Sequence, residues 1–236
     1  MSDSISLNKF ISSTGICSRR EADKWIEMGR VKLNGTVAKK GNRVTEECEV
    51  LIDGKPLRNK PKLVYIALNK PPGITCTTDL KDKDNIIDFI NYPKRVFPIG
   101  RLDKPSTGLI LLTNDGDVVN KILREENYHE KEYIVRVDKS ITSDFVKKMR
   151  NGLPILDQTT KKCLVEQKSE KVFSIILTQG LNRQIRRMCD YLNYKVINLK
   201  RVRIMNIYLD NLKMGRWRYL SDKELKELFQ SLGTEN

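Results

Sequence analysis

The chain has 236 residues, 39% of them apolar, and sets 44 Lys and Arg against 30 Asp and Glu for a formal charge of +14. That apolar share supports a packed core in one large or two modest domains, and the cationic excess suits a polyanionic partner, nucleic acid before membrane. No apolar run approaches the roughly 20 residues of a spanning helix. The start MSDSISLNKF lacks the charged head and apolar stretch of a signal peptide, so a cytoplasmic protein without membrane attachment is expected.

In chain order, Ser6 is predicted to cap a helix that carries Leu7, Phe10 and Ile11 on one face and ends at Gly15 in a left-handed conformation. Ser18-Arg-Arg-Glu21 has capping-box spacing and opens a second helix with Ala22, Trp25 and Ile26 inward and Gly29 as its stop. Asn34-Gly35 is a strong hairpin signal, and Val50 to Ile52 runs into a second turn pair, Asp53-Gly54. Arg19 and Arg20 occupy a first turn whose dipole favours acids, and with Lys24, Arg30 and Lys32 they form a basic face. It reads either as an anion site or as a solvated face balanced by Glu21, Asp23 and Glu27. Residues 55–62, KPLRNKPK, carry two prolines and no apolar period and read as a linker, which separates a domain of residues 1–60 from one of 63–236.

The larger part predicts strands over Val64–Leu68, Leu109–Thr113, Glu132–Val137, Val172–Leu177 and Val196–Ile204. Helices are predicted over Asp117–Leu123, Thr142–Met149, Arg183–Leu192 and Ser221–Leu232, the last opened by a second capping box. An α+β domain on a mostly antiparallel mixed sheet fits this order better than a βαβ repeat. The five cysteines (Cys17, Cys48, Cys76, Cys163, Cys189) are scattered and the chain has one histidine, His129. Neither a zinc site nor a disulfide framework is expected.

Four segments carry chemistry. In GRLDKPSTGL, residues 100–109, Asp103 stands between Arg101 and Lys104 ahead of an apolar strand; it reads as a surface turn or as a catalytic carboxylate held ionised by a neighbouring cation. Lys131-x-Tyr133 opens a strand, where an aromatic is usually packing. In LTQGLNRQIRRMC, residues 177–189, helical spacing puts Arg183, Arg186 and Arg187 on one face and Ile185, Met188 and Cys189 on the other, so three guanidiniums call for an anion. In KRVRIMNIYL, residues 200–209, Val202, Ile204 and Ile207 alternate with Arg201, Arg203 and Asn206, as in an edge strand with one wet face.

Two resemblances bear on these segments. LNKFISSTGICSRREADKWIEMGRVKLNG, residues 7–35, resembles the S4 RNA-binding module, which implies docking of structured RNA on the face of Arg19, Arg20 and Arg30. The pattern G-R-L-D-x-x-[ST]-x-G-L, met by Gly100, Arg101, Leu102, Asp103, Ser106, Gly108 and Leu109, resembles the signature of the pseudouridine synthases that modify ribosomal RNA. This second resemblance implies an S4-like domain followed by a synthase domain, with Asp103 as the catalytic residue, Tyr133 stacked on the target base and Arg186 paired with Asp103.

It further implies that Arg101, Leu102, Lys104, Arg183, Gln184 and Ile185 contact RNA and that Ile204, Met205 and Asn206 line the cleft. The implied reaction flips a uridine out, cleaves its glycosidic bond with the help of Asp103 and rejoins the base through C5, an isomerisation that needs no cofactor and no metal. The implied substrate is large-subunit 23S ribosomal RNA, with a tRNA anticodon uridine as a further target, and the expected state is a monomer. A basic C-terminal tail carried by members of this branch is expected to be missing, since this sequence ends at GTEN. A non-catalytic RNA-binding assembly factor would explain the charge but not these motifs in this order, and a hydrolase would need a partner carboxylate or metal cluster that is not apparent.

Overall fold

A computed structural model describes residues 4–45, 47–57 and 61–233. Two compact units form, one from the chain up to Val64 with Pro93–Arg95 and Asn114–Gly116, the other from Tyr65–Tyr92, Val96–Thr113 and Asp117 onward. Among the described residues, no helix is long and apolar enough to cross a membrane.

In the first unit, helix α1 (Leu7–Ser13) follows Ser6, which takes the cap conformation without a side-chain cap bond. Helix α2 (Arg19–Glu27) is capped by the Ser18 hydroxyl, which accepts from the Glu21 N–H at 3.1 Å. Gly15 and Gly29 follow the two helices at φ +81° and +72°. The four-stranded sheet is built from two hairpins whose turns, Asn34-Gly35 and Asp53-Gly54, have both residues at positive φ, as type I′ geometry requires. Its core gathers Leu7, Ile11, Ala22, Ile26, Val31, Val50 and Ile52, with Trp25 packed on its margin. Lys55 and Pro56 are therefore not linker. They pair with Leu51 and Ile52, because the Asp53-Gly54 turn sends the chain back along the sheet. The middle of the expected linker, residues 58–60, and the terminal residues 234–236 lie outside the described residues.

The second unit is built on a nine-stranded sheet. From one edge its strands are Leu164–Ser169, Val172–Leu177, Lys131–Val137, Val196–Ile204, Thr107–Thr113, Tyr65–Lys70 and Trp217–Tyr219; Ile207–Tyr208 folds back on Val196–Ile204 and Phe97–Ile99 lies on Thr107–Thr113. All pairings are antiparallel except one: Lys200 and Arg201 run parallel to Thr107 and Gly108. This seam joins two antiparallel halves. Every residue of Thr107–Thr113 is buried, as in a strand covered on both faces. Each fully buried Leu or Ile there contributes about 1.5–3 kcal/mol of apolar transfer.

Five helices flank the sheet: α3 (Ile86–Ile90), α4 (Gly116–Leu123), α5 (Ser143–Asn151), α6 (Gln184–Tyr191) and α7 (Asp222–Ser231). One core packs Phe145 and Met149 of α5 and Ile185, Met188 and Cys189 of α6 against Val135, Phe173 and Ile175. The other packs Val118 and Ile122 of α4 and Leu228 and Phe229 of α7 against Ala67, Leu109, Leu111 and Ile204. The predicted capping box of α7 is complete: the Ser221 hydroxyl and the Glu224 carboxylate each accept from the other residue's backbone N–H. Sequence periodicity placed the five predicted strands and four predicted helices to within two residues and missed Leu164–Ser169, the short strands Phe97–Ile99, Ile207–Tyr208 and Trp217–Tyr219, and the short α3.

The strand Val196–Ile204 departs from expectation. It is central, and its two arginines are buried beside Leu199 and Ile204: Arg201 is 3% exposed and Arg203 9%. Arg203 donates to the carboxylates of Glu132 at 3.0 Å and Glu130 at 2.9 Å, and Arg201 Nε donates to the Leu109 carbonyl at 2.7 Å. Ile204 and Ile207 enter a core as the alternation predicts, but the face of Arg201 and Arg203 is covered as well, with the guanidiniums hydrogen-bonded inside it.

Gly108 sits at the seam with φ +101°, where an added Cβ would stand 2.2 Å from the Arg201 carbonyl oxygen. Both the conformation and the contact exclude a side chain. Gly108→Ala is expected to cost at least about 2 kcal/mol, read as a lower urea midpoint at unchanged slope; an unchanged midpoint would show that the seam does not constrain the fold.

Candidate active site

The Asp103 loop is fixed before any partner is considered. The Asp103 carbonyl accepts the Ser106 N–H at 2.9 Å, closing a turn, and the Lys104 carbonyl accepts the Gly73 N–H at 2.8 Å. The Leu102 N–H points to Cys76 Sγ at 3.4 Å, and Gly100, at φ +75°, starts the loop. The buried strand from Thr107 onward anchors the far end.

Two guanidiniums converge on one oxygen of Asp103. Arg186 Nε lies 3.3 Å from Oδ2 and Arg183 Nη1 lies 3.4 Å from the same atom. The two cations differ in freedom. Arg186 is 13% exposed at its side chain and also donates to the Ser106 hydroxyl at 3.1 Å and toward the Val196 carbonyl at 3.5 Å; Arg183 is 47% exposed. Helix α6 begins one residue later than expected, at Gln184, with Arg183 as its N-cap in the left-handed region at φ +50°. Arg187 does not join them: its guanidinium folds back on the Asn182 carbonyl and side-chain oxygens, both at 3.0 Å. The anion that the three arginines called for is, for two of them, Asp103 itself.

Tyr133 reaches the same place from the sheet. It pairs with Arg201, and the register slips between Glu132 and Tyr133 because Val202 is an extra residue on the partner strand. Such a bulge re-aims the side chain beside it. A cavity of about 90 Å³ is lined by Asp103, Ser106, Tyr133, Gln179, Arg183 and Arg186, and it adjoins a groove of about 1110 Å³ to which Asp103, Tyr133 and Arg183 also contribute.

Of the other expected site residues, Arg101 and Leu102 line both spaces, Gln184 and Ile185 the cavity, and Lys104 and Ile204 the groove. Lys104 points to Asp84 at 2.7 Å rather than to Asp103. Gln184 is buried, with its amide bonded to Leu181 N–H and Gln179 Oε1, so it shapes the wall through its neighbours. Met205 and Asn206 are not brought to the groove. Met205 belongs to the α4–α7 core, and Asn206 Nδ2 donates to Glu224 O at 3.0 Å and Glu227 Oε2 at 3.3 Å, because the tight return to Ile207–Tyr208 turns both away.

In the smaller unit, Arg19 and Arg20 are exposed on the first turn of α2, and neither pairs with a carboxylate among the described residues. Two of the three acids expected to neutralise them are engaged elsewhere: Asp23 accepts from Asn8 at 2.9 Å and Glu27 pairs with Lys40 at 2.9 Å. Arg30 differs. It is bound to Asp53 and lies 5.0 Å over the Trp25 ring, and the Asp53 carboxylate beside it holds its pKa above the ordinary value.

Residues 64–191 match the model of the RNA pseudouridylate synthase family, and residues 6–51 match the S4 domain. The chain belongs to the RNA pseudouridylate synthases. The dual-specificity RNA pseudouridine synthase RluF of Escherichia coli (strain K12) is 56% identical over 229 residues, covering 96% of this chain and 79% of that one. Ribosomal large subunit pseudouridine synthase B of Bacillus subtilis (strain 168) is 34% identical over 232 residues, 94% of each chain. A crystal structure of a pseudouridylate synthase superposes with a TM-score of 0.71 at 29% identity, covering 95% of this chain and 99% of that one.

This synthase is therefore an isomerase that converts uridine to pseudouridine in RNA and carries an S4 RNA-binding domain. Its site contains two cations that motif spacing did not single out. Lys70, wholly buried, donates to the carbonyls of Pro71 at 2.9 Å and Lys104 at 3.2 Å and so ties the Asp103 loop to the end of Tyr65–Lys70. Arg201 lines the groove, and its Nη2 is buried with no hydrogen-bond partner among the described residues. The only sequence signal for either was a cation inside a predicted strand or at its end.

Burial pushes the Lys70 ammonium below its ordinary value, the nearby Asp103 charge opposing the shift only in part. With the folded pKa lower, the unfolded chain binds more protons between that value and 10.5, so the stability of wild type relative to Lys70→Met should rise with pH through that window. Urea unfolding of both proteins between pH 7 and 10 checks this, and a difference that stays flat or falls would place the ammonium in solvent.

Proposed function

We propose that the enzyme isomerises a specific uridine of 23S ribosomal RNA and also accepts a tRNA anticodon uridine, with Asp103 as the catalytic residue. The observation that carries the assignment is the convergence of Arg186 and Arg183 on one oxygen of Asp103 in a cavity that Tyr133 shares. The targets rest on likeness to a synthase described as dual-specificity and to one described as acting on the large subunit.

A uridine within folded RNA hides C1′ and C5, so it is extruded into the groove. Tyr133 stacks on the uracil and stands near C5 to take its proton, while Arg186, held by Ser106, aims the free oxygen of Asp103. Asp103 promotes cleavage of the glycosidic bond, by attack at C1′ or by removal of a ribose proton, and both routes use the carboxylate as its anion. The uracil turns while trapped and C5 bonds to C1′. The proton that leaves C5 is balanced by one gained at N1, so the change is an isomerisation without a redox step, which is why the reading requires no cofactor. The apolar walls, Leu102, Leu177, Ile185 and Leu199, keep water from the intermediate.

Arg101 meets the RNA backbone, and Arg183 leaves Asp103 for a phosphate when RNA enters. Residues 1–60 form the docking domain, through Arg19 and Arg20, and residues 63–236 the catalytic domain of a monomer.

Asp103→Asn is expected to bind ribosomal RNA as wild type does but to release no tritium from RNA labelled at uridine C5. Arg186→Gln is expected to lower kcat by about 10² or more, the scale of a lost positioning contact, and Arg183→Gln to raise KM with a smaller effect on kcat. Wild type that released no tritium from ribosomal or transfer RNA would overturn the target assignment; Asp103→Asn with full activity would overturn the site.

Arg19→Glu combined with Arg20→Glu is expected to weaken RNA binding and to reduce the slope of log Kd against log salt by about two, one for each lost phosphate contact. A slope unchanged from wild type would place docking elsewhere.

A further inference from the structure

Edge strand Trp217–Tyr219 shows two different faces. Arg218 points to one, where its guanidinium grips Glu224 of α7 at 2.7 Å and 2.8 Å. Trp217 and Tyr219, two residues apart, share the other, where Tyr92 packs edge-on against both at centroid distances of 5.7 Å to Trp217 and 6.4 Å to Tyr219. Tyr92 and Tyr219 share a hydroxyl hydrogen bond of 3.1 Å, and the Trp217 and Tyr219 rings meet at 5.4 Å and 78°. The surface continues through Met214 and Gly215 to Phe89 of α3, whose ring tip an added Cβ at Gly215 would meet at 3.6 Å.

These rings are fixed but not buried: Trp217 is 37% exposed, Tyr219 53%, Phe89 37% and Met214 57%. An ordinary edge is defended by charge or proline rather than by apolar rings. Two cations precede this one in the chain. Lys213 and Arg216 are exposed and pair with no carboxylate among the described residues, while the Asp88 carboxylate accepts from the Asn85 side-chain amide at 2.7 Å. Rigid half-exposed aromatics beside unpaired cations fit a partner with flat apolar faces and negative charge. A membrane would want a continuous aliphatic surface, and a protein partner would want the cations matched by acids. Unpaired nucleotides offer both a π-face for each ring and a phosphate for each cation.

We propose that Trp217 and Tyr219, with Tyr92 as their brace and Lys213 and Arg216 as phosphate contacts, form a stacking platform for unpaired nucleotides of the RNA substrate outside the catalytic groove. None of these residues lines the cavity or groove around Asp103. The platform adds affinity without a part in the chemistry.

The chain has two tryptophans, so in a Trp25→Phe background the fluorescence reports Trp217 alone. Titration with an eight-nucleotide oligouridylate is expected to quench it, and Tyr219→Ala is expected to weaken binding about five- to tenfold, the scale of one lost base stack. Tyr219→Phe keeps the ring and should bind as the parent does, which separates stacking from any loss of fold. With ribosomal RNA, Tyr219→Ala should raise KM at unchanged kcat. No quenching by the oligouridylate, equal binding by Tyr219→Ala and Tyr219→Phe, or quenching that tracks protein self-association would each overturn the proposal. A wrong target uridine would leave the oligouridylate result untouched, so the two failures are distinguishable.

Discussion

The contact on which the rest depends is the approach of the Gly108 backbone to that of Arg201. Two antiparallel half-sheets meet there in their one parallel pairing, at a separation that leaves no space for a Cβ. Because Arg201 also pairs with Tyr133 on its other side, Gly108, Arg201 and Tyr133 form one row across the sheet. The loop that ends at Gly108 carries Asp103, so the seam sets how far the carboxylate stands from the tyrosine. A shift of one residue in this register would turn Tyr133 to the opposite face.

Around that row the protein spends its buried cations on position. Lys70, Arg201 and Arg203 lie almost wholly inside, and each is bonded to a main-chain carbonyl: Lys70 to those of Pro71 and Lys104, Arg201 to that of Leu109, Arg203 to that of Met205. A buried cation satisfied by carbonyls costs desolvation and returns directional bonds. Here those bonds hold the Asp103 loop and the strands beside it, which are the parts that must not move by an ångström during a reaction. Hydrophobic packing alone would hold the layers together without fixing that loop.

Local chemistry made much of the molecule legible in its sequence. The two I′ turns, the α7 capping box and the strand Thr107–Thr113 follow from residues adjacent in the chain, and so did their prediction. The pairing of Asp103 with Arg186 came from a family resemblance, since 83 residues separate the partners and spacing offers no signal across such a gap. Alternation misassigned Arg201 and Arg203 because the pattern of an edge strand and that of a central strand with buried, carbonyl-bound arginines are the same on paper. Arg187 was misplaced for a related reason: helical phase predicts a face, whereas the Asn182 backbone, one turn back, offered a nearer partner.

In the proposed mechanism the two arginines on Asp103 divide a task between them. A cation that aims a carboxylate must stay, and Arg186 is held by Ser106 and by the Val196 carbonyl, with little of its side chain exposed. A cation that draws in RNA must be free to leave, and Arg183 stands half-exposed on a left-handed backbone position at the mouth of both spaces. In the proposed mechanism the empty site satisfies both cations with one anion. RNA then supplies the second anion, and the exchange of Arg183 from carboxylate to phosphate exposes Asp103 only when a nucleotide is present to meet it. That coupling needs no moving domain, only two guanidiniums of unequal restraint around a single oxygen.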